Sequence, residues 1–133
     1  MDCGNMIDYH KVFIDTAPFI YLLDNDPNYG ASTLRIFQEL LNAGTELFSS
    51  VITCEEYLIA PFKAGNQEKE QAFFSFLEDC GVTIRVIDEE TARKAARIRA
   101  EYRGFKSMDA LQLAAACLVE CDLFLTNDKQ GKS

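Results

Sequence analysis

The sequence has one histidine, His10, and no C-x-x-C pair. A zinc site of the usual cysteine and histidine ligands is therefore not expected. The five cysteines (Cys3, Cys54, Cys80, Cys117 and Cys121) are odd in number and irregularly spaced. That pattern argues against a disulfide framework and for small buried apolar residues in a reducing, cytoplasmic compartment. No apolar run is long enough to cross a bilayer: the stretch 111–119 is short and broken by Gln112. The N-terminus begins with Asp2, Asn5 and Asp8, without the basic and apolar blocks of an export signal. Internal repeats and low-complexity segments are absent. Basic residues are outnumbered, 13 against 21 acids, for a formal charge of −8. Such a balance disfavours indiscriminate duplex binding, which needs a basic surface to displace counterions. It leaves open a cluster of carboxylates that waits for a cation, and it says nothing about local patches.

What remains is ordinary for one globular domain: 133 residues, 48% hydrophobic and 26% charged. Residues 11–15 (KVFID) read as a buried strand closed by Asp15. Thr16 suits a helix N-cap and Pro18 the first turn of a helix over 18–23. DNDPNYG at 24–30 is turn chemistry. Leu34, Phe37, Leu40 and Leu41 stand at helical spacing over 31–43, ahead of Gly44. A second strand is expected over 46–52, then a helix capped by Thr53 that runs toward Lys63, with a kink or stop at Pro61. Further expectations are a helix over 67–80 ended by Gly81 and a strand over 82–87. A helix opened by Asp88 over 89–102, a helix from Met108 to about Glu120 capped by Ser107, and a strand over 122–126 complete the pattern. Cys117 and Cys121 would lie one turn apart on that last helix. Strands alternating with helices imply a parallel sheet covered on both faces. Such a sheet ordinarily carries one more edge strand, and only five residues follow Asp128.

In open α/β sheets the functional crevice lies at the carboxyl ends of the strands. Asp15 ends the first strand and Asp128 follows the fourth. Glu56 opens the helix after the second strand, and Asp109 sits in the first turn of the helix that feeds the fourth. Topology could bring all four to one sheet edge. Clustered carboxylates repel unless a counterion joins them, and a hard cation such as Mg²⁺ or Mn²⁺ accepts oxygen ligands and keeps waters. Each acid also has a plainer reading. Asp15 could only cap a helix, Asp109 could only complement a helix dipole, Asp128 could be a turn residue, and Glu56 could face solvent in competition with Glu55. Arg93, Arg97, Arg99, Arg103 and Lys106 lie on or just after one helix, and a solvated face balanced by Glu89, Glu90 and Glu101 accounts for them better than a nucleic-acid surface. Phe13, Phe37, Phe73, Phe74 and Phe76 are assigned to the core.

Four segments, in order, carry a family resemblance: VFIDTAPFIYLL at 12–23, SSVITCEE at 49–56, SMDALQLAAA at 107–116 and DLFLTND at 122–128. The chain resembles the PIN-domain ribonucleases, and especially the toxins of VapBC-type toxin–antitoxin pairs. The resemblance implies a PIN-like, Rossmann-like α/β fold: a three-layer sandwich with a mostly parallel central sheet of four to five strands and helices on both faces. It implies one PIN domain over residues 1–133, lacking the last edge strand. Asp15, Asp109 and Asp128 would coordinate Mg²⁺ or Mn²⁺, with Glu56, three residues after Thr53, completing the set. Thr126 and Thr16 would orient the acids or the metal's water. The implied reaction is hydrolysis of an RNA phosphodiester by metal-activated water, and the implied partner is an antitoxin that covers the acidic groove. An exposed sheet edge favours pairing with a second copy, so a homodimer is expected. Two other readings compete. A catalytically silent PIN-like binding module keeps the fold without the chemistry. A phosphoacceptor receiver domain would need paired acids after the first strand, where Thr16 follows Asp15, and a fifth strand.

Overall fold

The computed structural model describes residues 9–126. The fourth expected acid, Asp128, therefore lies outside the described residues. Within them the strands are β1 (Lys11–Ile14), β2 (Glu46–Ser50), β3 (Thr83–Arg85) and β4 (Leu123–Leu125). The helices are α1 (Thr16–Leu23), α2 (Gly30–Asn42), α3 (Val51–Ala64), α4 (Gln67–Asp79), α5 (Glu89–Glu101) and α6 (Ser107–Leu118). The strands form one parallel sheet in the order β3-β2-β1-β4.

β1 is one of the two inner strands, and its composition says why. Val12, Phe13 and Ile14 are all fully buried, as expected of a parallel strand covered on both faces. Its side chains alternate between two cores. Val12 and Ile14 join Phe19, Phe37, Leu40, Leu47, Tyr57, Phe73 and Leu77 beneath α1 to α4. Phe13 faces the other way, against Ala115 and Ala116 of α6, and stacks on Phe124 of β4 with ring centroids 5.4 Å apart. The alanines of α6 let a second helix approach closely: Ala110 and Ala114 pack against Ala95 and Ile98 of α5. Three layers result, with the sheet in the middle. No described helix is long and apolar enough to cross a membrane.

Several local expectations are corrected. Ser50, not Thr53, caps α3: its hydroxyl accepts from the Ile52 amide at 3.1 Å, and the helix begins two residues before Thr53. The second strand accordingly stops at Ser50 rather than running to residue 52. Pro61 neither stops nor ends α3, which continues to Ala64 and terminates at Gly65 in the left-handed conformation, φ +63°. A proline removes one amide donor, and a last turn has other ways to satisfy its carbonyls. Asp15, not Thr16, is the N-cap of α1, its carboxylate accepting from the Thr16 amide at 2.8 Å. Lys106 occupies the cap position of α6, so Ser107 already lies in the helix. That helix ends at Leu118, which leaves Cys117 exposed and Cys121 beyond the last turn, not paired on one buried face. Phe74 is also exposed, as are Leu34 and Leu41 of α2; Phe13, Phe37 and Phe73 are core residues as expected.

The candidate active site

The carboxyl ends of β1 and β4, helices α1 and α3 and the start of α6 meet at one open cleft of about 290 Å³. Asp15, Glu56 and Asp109 line it, together with Thr16, Thr126 and Gln112. Three of the four expected acids thus share a wall, and both expected supporting threonines are with them.

Asp15 is reached from three sides. Its Oδ1 accepts from the Thr16 amide at 2.8 Å and from Gln112 Nε2 at 3.0 Å. Its Oδ2 accepts from Thr126 Oγ1 at 2.9 Å. Its backbone is held as well, because the Asp15 amide donates to the Leu125 carbonyl at 2.9 Å and so ties the end of β1 to the end of β4. The side chain that caps α1 therefore also lines the cleft. Hydrogen bonds to a charged acceptor are among the stronger ones, each contributing about 1.5–3 kcal/mol.

Glu56 is gripped differently. Thr16 Oγ1 donates to its Oε1 at 2.5 Å, which aims the carboxylate into the cleft. Glu55, one residue earlier, is exposed and does not line it. Asp109 is exposed at the cleft rim, in the first turn of α6. There a carboxylate also complements the helix dipole, so the plainer reading holds beside the functional one.

Below the acids lies a layer of buried polar side chains that sequence reasoning did not assign to the site. Ser49, Ser50, Thr53 and Gln112 are essentially inaccessible to solvent. Gln112 Nε2 also donates to Thr53 Oγ1 at 2.7 Å, and the Ser50 hydroxyl is bonded to Gln112 Oε1. Ser49 bonds to the Ile14 carbonyl at 2.6 Å and to Thr53 at 2.8 Å. The sequence did hold a signal: Gln112 is the one amide inside an otherwise apolar helix, three residues after Asp109. A buried polar side chain needs partners, and a glutamine one turn from an acid that opens the same helix finds them at the site.

The donor set is chemically uniform. Every acid in the cleft offers carboxylate oxygen, and neither cysteine nor histidine lines it. Hard oxygen donors suit Mg²⁺ or Mn²⁺. Among the described residues no three acids, cysteines or histidines stand close enough to hold an ion by themselves. Cations of this kind keep several waters and commonly use only one or two protein carboxylates. Arg93 pairs with Glu89 one turn away at 2.7 Å, and Arg99 donates to the Phe105 carbonyl at 3.1 Å and to Ser107 at 2.8 Å.

A parallel sheet in this strand order, layered by helices on both faces and carrying acids at its carboxyl end, defines a Rossmann-like fold of the PIN type. The PIN domain profile matches residues 12–132, and the chain belongs to that family. Within it the chain is similar to Ribonuclease VapC19 of Mycobacterium tuberculosis, with 32% identity over 122 residues and 86% of each chain covered. Among solved structures it is similar to a toxin–antitoxin complex from Klebsiella pneumoniae, with TM-score 0.67, 25% identity, and 89% and 88% of the two chains covered. The fold is shared with VapBC2 from Rickettsia felis bound to a promoter DNA fragment, at TM-score 0.68 and 18% identity over 92% and 91% of the chains. It is shared too with VapC20 of M. tuberculosis, a sarcin–ricin loop cleaving toxin, at TM-score 0.68 and 12% identity over 91% and 93%.

Proposed function

We propose that this chain is a metal-dependent endoribonuclease that hydrolyses RNA phosphodiesters, and that it serves as the toxin of a toxin–antitoxin pair. The observation that carries the reading is the meeting of Asp15, Glu56 and Asp109 on one cleft, with Asp15 held by three donors. Family membership and the similarity to a VapC ribonuclease support it.

Asp15 and Asp109 would hold Mg²⁺ or Mn²⁺ with Asp128, and Glu56 would complete the set directly or through water. The cation supplies charge neutralisation at the phosphodiester and lowers the pKa of a bound water. The protein's own part is positional. Thr16, Thr126 and Gln112 fix Asp15, and Thr16 fixes Glu56, so the carboxylates need little rearrangement when substrate arrives. The cleft is open, which suits passage of a polymer. Exposed Ile20 and Met108 on its wall offer apolar surface against which a nucleoside can lie.

The antitoxin reading draws on the complexes formed by structural relatives and on one feature of this chain. A second hollow of about 370 Å³ between α1, α3 and α4 shares Ile20 and Glu56 with the cleft. A partner segment seated there would run directly over the acids.

Incubation of the purified protein with a structured RNA and Mn²⁺ tests the proposal. Asp15→Asn is expected to abolish cleavage while the protein stays folded but melts somewhat lower without metal, because an amide of equal size gives up part of the charge-assisted bonding from Thr16, Gln112 and Thr126. Undiminished cleavage by that variant would remove Asp15 from the mechanism. Absence of cleavage by the parent at any Mn²⁺ concentration would favour the silent binding module.

A further inference from the structure

The buried hydroxyls and the Gln112 amide admit one consistent arrangement of hydrogens. A hydroxyl has one hydrogen to donate, and a backbone carbonyl can only accept. Ser49 lies 2.6 Å from the Ile14 carbonyl, so its hydrogen goes there. Thr53 must then donate to Ser49 across their 2.8 Å contact. The Thr53 oxygen is left as an acceptor, and Gln112 Nε2 fills it at 2.7 Å. The second Nε2 hydrogen points at Asp15 Oδ1, 3.0 Å away. Ser50 receives the Ile52 amide, so its hydrogen is available to Gln112 Oε1. Turning the amide over would set its oxygen against the Asp15 carboxylate and leave Thr53 only the long 3.4 Å approach of Thr16 Oγ1, whose one hydrogen is directed at Glu56 2.5 Å away. The Gln112 orientation is therefore forced by a chain that starts at the Ile14 carbonyl and ends at Asp15.

We propose that Gln112 is a positioning residue of the acidic site: its amide, locked by Ser50 and Thr53, holds Asp15 in the orientation that receives the divalent cation. The proposal rests on the reading of Asp15 as a cation ligand. A glutamine that merely filled the core would need neither a forced orientation nor a bond to the acid. Gln112 is nearly inaccessible to solvent, and both nitrogen hydrogens have fixed partners. Thr16 and Thr126 reach Asp15 from helix and strand ends at the cleft, whereas Gln112 reaches it directly from the buried layer beneath.

The test is Mn²⁺ binding to the full chain, read from the electron paramagnetic resonance of the free ion. The metal-free melting temperature and the Mn²⁺ concentration for half-maximal cleavage are measured alongside. Gln112→Met keeps the volume and removes the amide. Gln112→Asn is smaller, cannot overpack, and draws the amide back from Asp15, so it serves if the first variant folds poorly. Loss of a ligand's hydrogen-bond partner typically weakens metal affinity by about 10- to 100-fold, and that is the expected rise in Kd for both variants. The half-maximal Mn²⁺ concentration is expected to rise in step, and saturating Mn²⁺ to restore cleavage. A purely structural role would lower the melting temperature and leave Mn²⁺ affinity unchanged, and that result overturns the proposal. Asp15→Asn separates the two levels. If it loses Mn²⁺ while both Gln112 variants bind as the parent does, the positioning role alone fails. If it binds Mn²⁺ as the parent does, the assignment of Asp15 fails with it.

Discussion

Adjacent residues on a helix point about 100° apart, and the two glutamates of α3 show what that separation does. Glu56 turns into the cleft and meets Thr16, while Glu55 stays in solvent. Glu56→Gln is therefore expected to slow RNA cleavage by an order of magnitude or more, and Glu55→Gln to leave it within about twofold, since surface changes away from special features are nearly neutral. Side-by-side turnover of the two variants checks this, and equal turnover would show that neither is the acting acid. At this scale the sequence was legible where a residue's chemistry is unusual for its position. An aspartate closing an apolar strand announces itself, and so do threonines beside such acids. Ser49, Ser50 and Thr53 did not, because small hydroxyl residues between a strand and a helix look like ordinary caps. Ser50 and Thr53 act through contacts with Gln112, 62 and 59 residues away, and Ser49 through Thr53 and the Ile14 carbonyl, and no local pattern records the long-range pairs.

Strands and helices were read correctly in kind and order, and most errors fell at their ends. Whether Ser50 or Thr53 caps α3 depends on where β2 leaves the sheet, a matter of pairing with β1 and β3 rather than of propensity. One end contact has a measurable pH signature. The Asp122 carboxylate, just before β4, accepts from the His10 amide at 2.6 Å and from the Lys11 amide at 3.0 Å, at the start of β1. Those amide donors hold its pKa below the ordinary carboxylate range, the Lys11 amide contributing most. A depressed folded-state pKa contributes stability above the unfolded-state value, and that contribution is lost as pH falls through the folded-state value. Asp122→Asn is accordingly expected to lower the melting temperature at neutral pH, with the gap from the parent closing below about pH 4. Thermal melts of both proteins from pH 7 to pH 3 provide the measurement. A gap independent of pH would mean that the charge on Asp122 contributes nothing.

The whole molecule carries a formal charge of −8 and gathers acids at one sheet edge, so a cation bound there should be felt throughout the fold. A ligand that binds only the folded state stabilises it by about 2.7 kcal/mol at 100 times its Kd. Mg²⁺, Mn²⁺ and Ca²⁺ are each expected to raise the melting temperature. Ca²⁺ should support cleavage poorly, because its looser coordination positions water less strictly. The shift is expected to shrink in Asp109→Asn; a shift that survives undiminished there would exclude Asp109 from the site.

The grip on Asp15 also sets an order of events. Gln112 and Thr126 are synthesised 97 and 111 residues after Asp15, and the strand its amide docks on follows just as late. Until those residues are made, Asp15 lacks every one of these partners but the neighbouring Thr16 amide. Its finished surroundings arrive only when β4 slides in beside β1. For a protein whose proposed substrate is RNA, and whose birthplace is made of RNA, the site as proposed is complete only when the segments that carry Asp15, Gln112 and Thr126 fold together.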